Sequence, residues 1–177
     1  GVAAEPPFRR ALALALEIVG PDHPFTGVAK ANLGYALSDQ GRWAEAETPF
    51  REGLATYQAA VGPDSPDLLE TIEGYAAVLD RLGRVDEAEA LYRRADAIAT
   101  NRLPPAHADA LDGAWKYAGF LIRQDRPDEA RDRVRAELAE LLGQDGRGRD
   151  WRTRVRGARP LFARQVEAGW VLAAAAD

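Results

Sequence analysis

An all-α fold of stacked helical hairpins is what this chain predicts, and two motifs with one shared period carry the prediction. Gly20-Pro21-Asp22-His23-Pro24 returns forty-two residues later as Gly62-Pro63-Asp64-Ser65-Pro66, with a weaker copy at Pro104-Pro105-Ala106-His107-Ala108. Gly41-Arg42-Trp43-Ala44-Glu45-Ala46-Glu47 recurs at the same interval as Gly83-Arg84-Val85-Asp86-Glu87-Ala88-Glu89 and as Asp125-Arg126-Pro127-Asp128-Glu129-Ala130-Arg131. A fixed period of this length marks supersecondary units that each bury apolar surface against their neighbours. The 46% apolar content over 177 residues supports a folded chain rather than a disordered one.

The segment from Arg9-Arg10 into Ala11-Leu12-Ala13-Leu14-Ala15-Leu16 has the outline of a signal peptide, but the repeat register accounts for it better. Phe8 and Leu12 lie forty-two residues before Phe50 and Leu54, which makes this the second helix of an incomplete repeat. The sequence starts inside that helix and without methionine, so a processed or truncated product is expected.

Within a unit the first helix should begin near Pro24 or Pro66, because proline suits the first helical position and His23 or Ser65 can cap the exposed amides. It should end at Gly41 or Gly83, where glycine adopts the left-handed conformation at little steric cost; Asp125 is a weaker stop in the third unit. The second helix starts around Trp43, Val85 or Pro127. Ala46, Ala88 and Ala130 then fall where the two helices approach, and Phe50, Tyr92 and Val134 follow on the same face as core residues. On the first helix Gly34, Ala76 and Ala118 do the matching job, and Leu33, Tyr75 and Tyr117 with Leu37, Leu79 and Leu121 supply an apolar stripe at helical spacing.

These residues resemble the tetratricopeptide repeat family, whose signature pairs a leucine–small–aromatic first helix with an alanine and an aromatic on the second. The forty-two-residue period and the Gly-Pro-Asp-His-Pro linker are most similar to the longer-helix variety of kinesin light chains and of many bacterial repeat proteins. The resemblance covers about Pro6 to Gly143, one helix followed by three hairpins, and implies a right-handed α-solenoid. Glu137 in place of the small Gly53 or Ala95, and Asp96 in place of Leu54, place the third hairpin near the end of the stack.

After Gly143 the period fails. Residues 1–143 are therefore read as the solenoid, and 144–177 as an arginine-rich connection followed by a capping helix over Pro160 to Ala175. Six arginines between Arg147 and Arg159 surround Trp151, but the net charge of -5 favours a connection pairing with acidic helices over a nucleic-acid site. No stretch approaches the roughly 20 apolar residues of a membrane span. Neither a disulfide framework nor a thiolate metal site is available without cysteine, and cytoplasmic placement is the default.

Nothing in the chain assembles into catalytic machinery. His23 and His107 stand two whole repeats apart at the position of Ser65, which reads as helix capping, and Ser38 and Ser65 lie outside any nucleophile elbow. Carboxylates such as Glu45 and Glu87 recur because the fold recurs, whereas a catalytic pair would be singular. The expectation is a non-catalytic scaffold without metal or cofactor. The other reading is a regulatory or sensing module cut from a larger signalling enzyme or transcription factor.

The resemblance implies that the first helix of each hairpin lines a concave wall. It projects Tyr35 and Asp39 from the first unit, Glu70, Glu73, Asp80 and Arg81 from the second, and Asp112, Trp115 and Arg123 from the third. Carboxylates in the middle with an aromatic at either side suit an extended peptide carrying a basic residue and apolar anchors. Ala31, Glu73 and Trp115 stand where the chaperone-binding members of the family carry their carboxylate-clamping residues, which argues against a chaperone-tail clamp. A second expected contact is a homodimer through the N-terminal helix, around Leu12 and Leu16.

Overall fold

The computed structural model describes residues 5–104 and 107–142, with side chains as far as 136. Every regular element among them is helical: α1 (Glu5–Ile18), α2 (Pro24–Ser38), α3 (Trp43–Val61), a 3-10 turn (Pro66–Leu68), α4 (Leu69–Arg81), α5 (Val85–Arg102), α6 (Ala108–Arg123) and α7 (Pro127–Leu142). The chain forms two compact units, residues 1–102 and 103–177. In the first, α1 packs on α2, α2 pairs with α3, α3 meets α4, and α4 pairs with α5; in the second, α6 pairs with α7. The projected arginine-rich connection, Trp151 and the capping helix lie outside the described residues.

The predicted starts and stops are where the chain puts them. The imidazole Nδ1 of His23 accepts the Phe25 amide at 3.2 Å, Ser65 Oγ accepts from Asp67 at 3.3 Å, and His107 Nδ1 accepts from Asp109 at 3.2 Å. Histidine thus performs the capping role expected more readily of serine. The second repeat departs from expectation in one detail: after Ser65 the chain makes a 3-10 turn, and α4 begins only at Leu69. Tight turns of this kind are common at helix starts, and Leu68 is fully buried there. Gly41 and Gly83 have φ of 73° and 77°, and Asp125 takes the same left-handed place at 58°, as short polar side chains can.

Packing follows the small-residue logic. Ala46 and Ala88 are 0% exposed, and Phe50 is enclosed with them. A Cβ on Gly34 would lie 2.6 Å from the Phe50 ring, so only glycine leaves room for that aromatic. A close backbone approach in the first hairpin lies further along, where a Cβ on Gly53 would meet the Gly27 carbonyl at 2.8 Å. Each fully buried large apolar side chain contributes about 1.5–3 kcal/mol. Val134, expected in the core of the third hairpin, is instead half-exposed. It has two methyl groups where Phe50 has a ring, and so less apolar surface to bury.

Candidate functional site

Tyr35, Asp39, Glu70, Glu73, Asp80 and Arg81 belong to the first unit, and Asp112, Trp115 and Arg123 to the second. Tyr35 closes the seam between consecutive first helices. From α2 its hydroxyl donates to the backbone carbonyl of Glu70 on α4 at 2.5 Å, and its ring meets Phe50 edge-on with centroids 4.8 Å apart. Gly74 makes this possible, because a Cβ there would lie 2.5 Å from the tyrosine oxygen. The aromatic expected as a free anchor is therefore half-buried and already engaged.

The carboxylates separate into three kinds. Asp39, just past the end of α2, and Glu70, in the first turn of α4, are exposed, and Asp80 is half-buried. Glu73 is only 4% exposed. This differs from the wall position projected for it, and its counterpart one repeat earlier explains why. Ala31 is 3% exposed and its amide lies beside Gly53 of α3, so this register position faces the hairpin partner. No buried side-chain nitrogen or oxygen among the described residues lacks a hydrogen-bond partner. Arg81 is exposed, with its guanidinium 5.5 Å from the centroid of the Trp43 ring. In the second unit Asp112 pairs with Lys116 at 2.6 Å, Trp115 is half-buried and Arg123 is exposed.

The periodic carboxylates on the second helices are held by arginines. Arg42 grips Glu45 with two nitrogens at 2.7 and 2.5 Å and also bonds Glu5, thirty-seven residues earlier. Arg84 repeats the arrangement, bonding Glu87 at 2.7 and 2.6 Å and Glu47 at 2.6 Å. Arg126 grips Glu129 in the same two-pronged way. The hydrogen bonds from Arg42 hold the Glu45 carboxyl below the usual carboxylate range, those from Arg84 do so for Glu87, and Arg9 followed by Arg42 does so for Glu5. The signal was present in the sequence as an arginine every forty-two residues, with glutamate three after it and thirty-seven before it. The clasps of Arg42 and Arg84 fasten neighbouring repeats of the first unit; they leave Asp39, Glu70 and Arg81 outside the network.

Residues 26–67, spanning the first complete hairpin and the linker after it, match the family model described as tetratricopeptide repeat. The match identifies this first hairpin as a tetratricopeptide repeat. Among solved structures, BtubC (BKLC) from P. vanneervenii superposes with a TM-score of 0.67 at 20% identity, over 78% of this chain and 56% of that one. The present chain thus spans just over half of BtubC. Two structures of a Podosopora anserina putative kinesin light chain with nearly identical TPR-like repeats superpose with TM-scores of 0.69 and 0.63. They share 17% and 18% identity with this chain, cover 96% and 90% of it, and are each themselves covered to 85%. At these identities the likeness is one of fold, of the kinesin-light-chain-like tetratricopeptide kind. No curated relative matches the chain in sequence. No helix among the described residues is long and apolar enough to cross a membrane, and no cluster of three or more metal-ligating side chains occurs there.

Proposed function

We propose that the first unit is a non-catalytic scaffold that takes a basic, apolar-anchored peptide segment along α2 and α4. The observation that carries the reading is the placement of exposed Asp39 and Glu70 around the Tyr35 seam, with the small residue Ala77 further along α4. A small side chain leaves room for a peptide backbone, and the two carboxylates attract its basic side chain. Exposed charges of this kind steer association more than they raise affinity, and salt screens them over about 10 Å at 0.1 M. Binding is therefore modest and salt-sensitive.

The test is titration of a fluorescein-labelled peptide of alternating arginine and leucine into the protein. Glu70→Lys and Asp39→Lys should each weaken binding about threefold to fivefold, in line with exposed ion pairs of up to about 1 kcal/mol. Asp86→Lys, an exposed change on α5, should leave it unaltered. Equal affinities for all three variants place the peptide elsewhere. Glu73→Lys belongs to a different class: it forces an ammonium into a buried position and should lower the denaturation midpoint rather than act on the peptide.

A further inference from the structure

Phe25 stands in the first turn of α2, 70% exposed, at a register where the other two repeats carry Asp67 and Asp109. Both aspartates are exposed as well. Asp67 has the whole α2–α3 hairpin ahead of it, so this register stays open to water when a repeat precedes it. A single apolar residue at the surface carries no meaning by itself. Two observations set Phe25 apart. The first is that its ring is held in place: the Nδ1 of His23 accepts the Phe25 amide at 3.2 Å, and the imidazole stacks on the phenyl ring with planes 9° apart and centroids 5.5 Å apart. A ring fixed in this way loses little freedom when a ligand docks on it. The second is its place on α2. Phe25, Asn32 and Asp39 follow one another at seven-residue spacing, turned by only about 20° from each to the next, and all three are exposed. They form one stripe along α2, with Asp39 of the proposed peptide path at its far end.

The next first helix supplies the charge. Short connections join α2 to α3 and α3 to α4 as antiparallel neighbours, so α2 and α4 point the same way and begin at the same edge. At that edge α2 presents Phe25, and the start of α4 presents the exposed carboxylates of Asp67 and Glu70. The hydrogen bond from Tyr35 to the Glu70 carbonyl fastens this first turn of α4 to α2. We infer that Phe25 is the apolar anchor point of the groove: it packs an apolar side chain of the bound segment, while Glu70 and Asp67 attract the basic residue next to it. Aromatic side chains held in this manner are the usual anchors of an interface. Tyr35, the aromatic that the sequence offers for this part, is engaged at the seam, and Phe25 lies outside the wall that the sequence projects. The inference rests on the peptide reading above and adds an order to it. An apolar residue and its neighbouring cation occupy the edge where α2 and α4 begin, and a further cation lies toward Asp39.

The probes are two fluorescein-labelled peptides of equal charge, one alternating arginine with leucine and the other arginine with serine. The wild-type protein should bind the leucine peptide about threefold to tenfold tighter, as expected for burying part of one apolar side chain. Phe25→Asp, which installs the residue that the other repeats carry at this register, and Phe25→Ser should each close that gap while the circular dichroism stays unchanged. Glu70→Lys should weaken both peptides alike and leave the gap. A gap that survives in either Phe25 variant, while Glu70→Lys still weakens binding, overturns this inference and leaves the peptide reading standing. If neither peptide binds the wild-type protein, or if Glu70→Lys changes nothing, the peptide reading falls and the anchor falls with it. Sedimentation showing a dimer that Phe25→Ser dissolves assigns the ring to a second copy and overturns the inference equally.

Discussion

The hairpins α2–α3 and α6–α7 carry the same motif and bury it to different depths. On α3, Ala46, Phe50, Gly53 and Leu54 are buried; on α7, among residues whose side chains are described, only Ala130 is. Ala46 and Ala130 show that the close approach of the two helices survives in both. Among the residues whose side chains are described, one difference is the residue one turn on, Phe50 against Val134. The small residue lets the helices come together, and the aromatic then determines how much surface the contact removes from water.

The largest expected effect tests that division. Phe50→Ala should cost about 3–5 kcal/mol, because a fully enclosed ring leaves a cavity that its glycine-lined neighbours cannot fill. Val134→Ala should cost about 1 kcal/mol, since only part of two methyl groups leaves a half-exposed site. Urea denaturation followed by circular dichroism measures both, and comparable losses for the two variants would mean that α7 is packed as deeply as α3.

A smaller effect separates the crossing point from the rest of a second helix. Ala88→Leu, at a position with no exposure, should destabilise by about 1–3 kcal/mol, whereas Ala60→Leu, near the exposed end of α3, should be close to neutral. If the two midpoints coincide, the alanines do not mark the crossing.

The smallest effect concerns acid. Glu5, Glu45 and Glu87 titrate lower in the folded chain than a free glutamate, which ionises at about 4.3. Their stabilising contribution is therefore complete above that value and is lost as the pH falls through the lower folded values. Glu45 and Glu87 are exposed and Glu5 is half-buried at the surface, so the effect is modest. In thermal melts, Arg42→Gln combined with Arg84→Gln should lower Tm at neutral pH, and the gap from wild type should close as the pH drops below about 4.3. A gap that stays constant into acid would show that the two arginines act through packing alone.

Much of the fold was legible because its cues are local and repeated. Helix starts at His23, Ser65 and His107, stops at Gly41, Gly83 and Asp125, and the alanines at the crossings all follow from backbone sterics within a few residues. The candidate site was less legible because a wall projected from a family pattern fixes a helix face only coarsely. One residue along a helix turns the side chain by about 100°, enough to carry Glu73 from the wall to the hairpin interior. Tyr35 was misjudged for another reason: its role depends on Gly74, thirty-nine residues away, whose missing side chain is what admits the ring.

The arginine clasps have a consequence for how such a chain can lengthen. In the first unit Arg42 reaches back to Glu5 and Arg84 to Glu47, so a copied module there arrives already equipped for both junctions. A duplicate inserted between the first and second modules would find an acceptor behind it and present one ahead. The series Glu5, Glu47, Glu89 then breaks at Arg131, where a further copy would meet arginine with arginine. Duplication within the first unit therefore carries both halves of the junction with it.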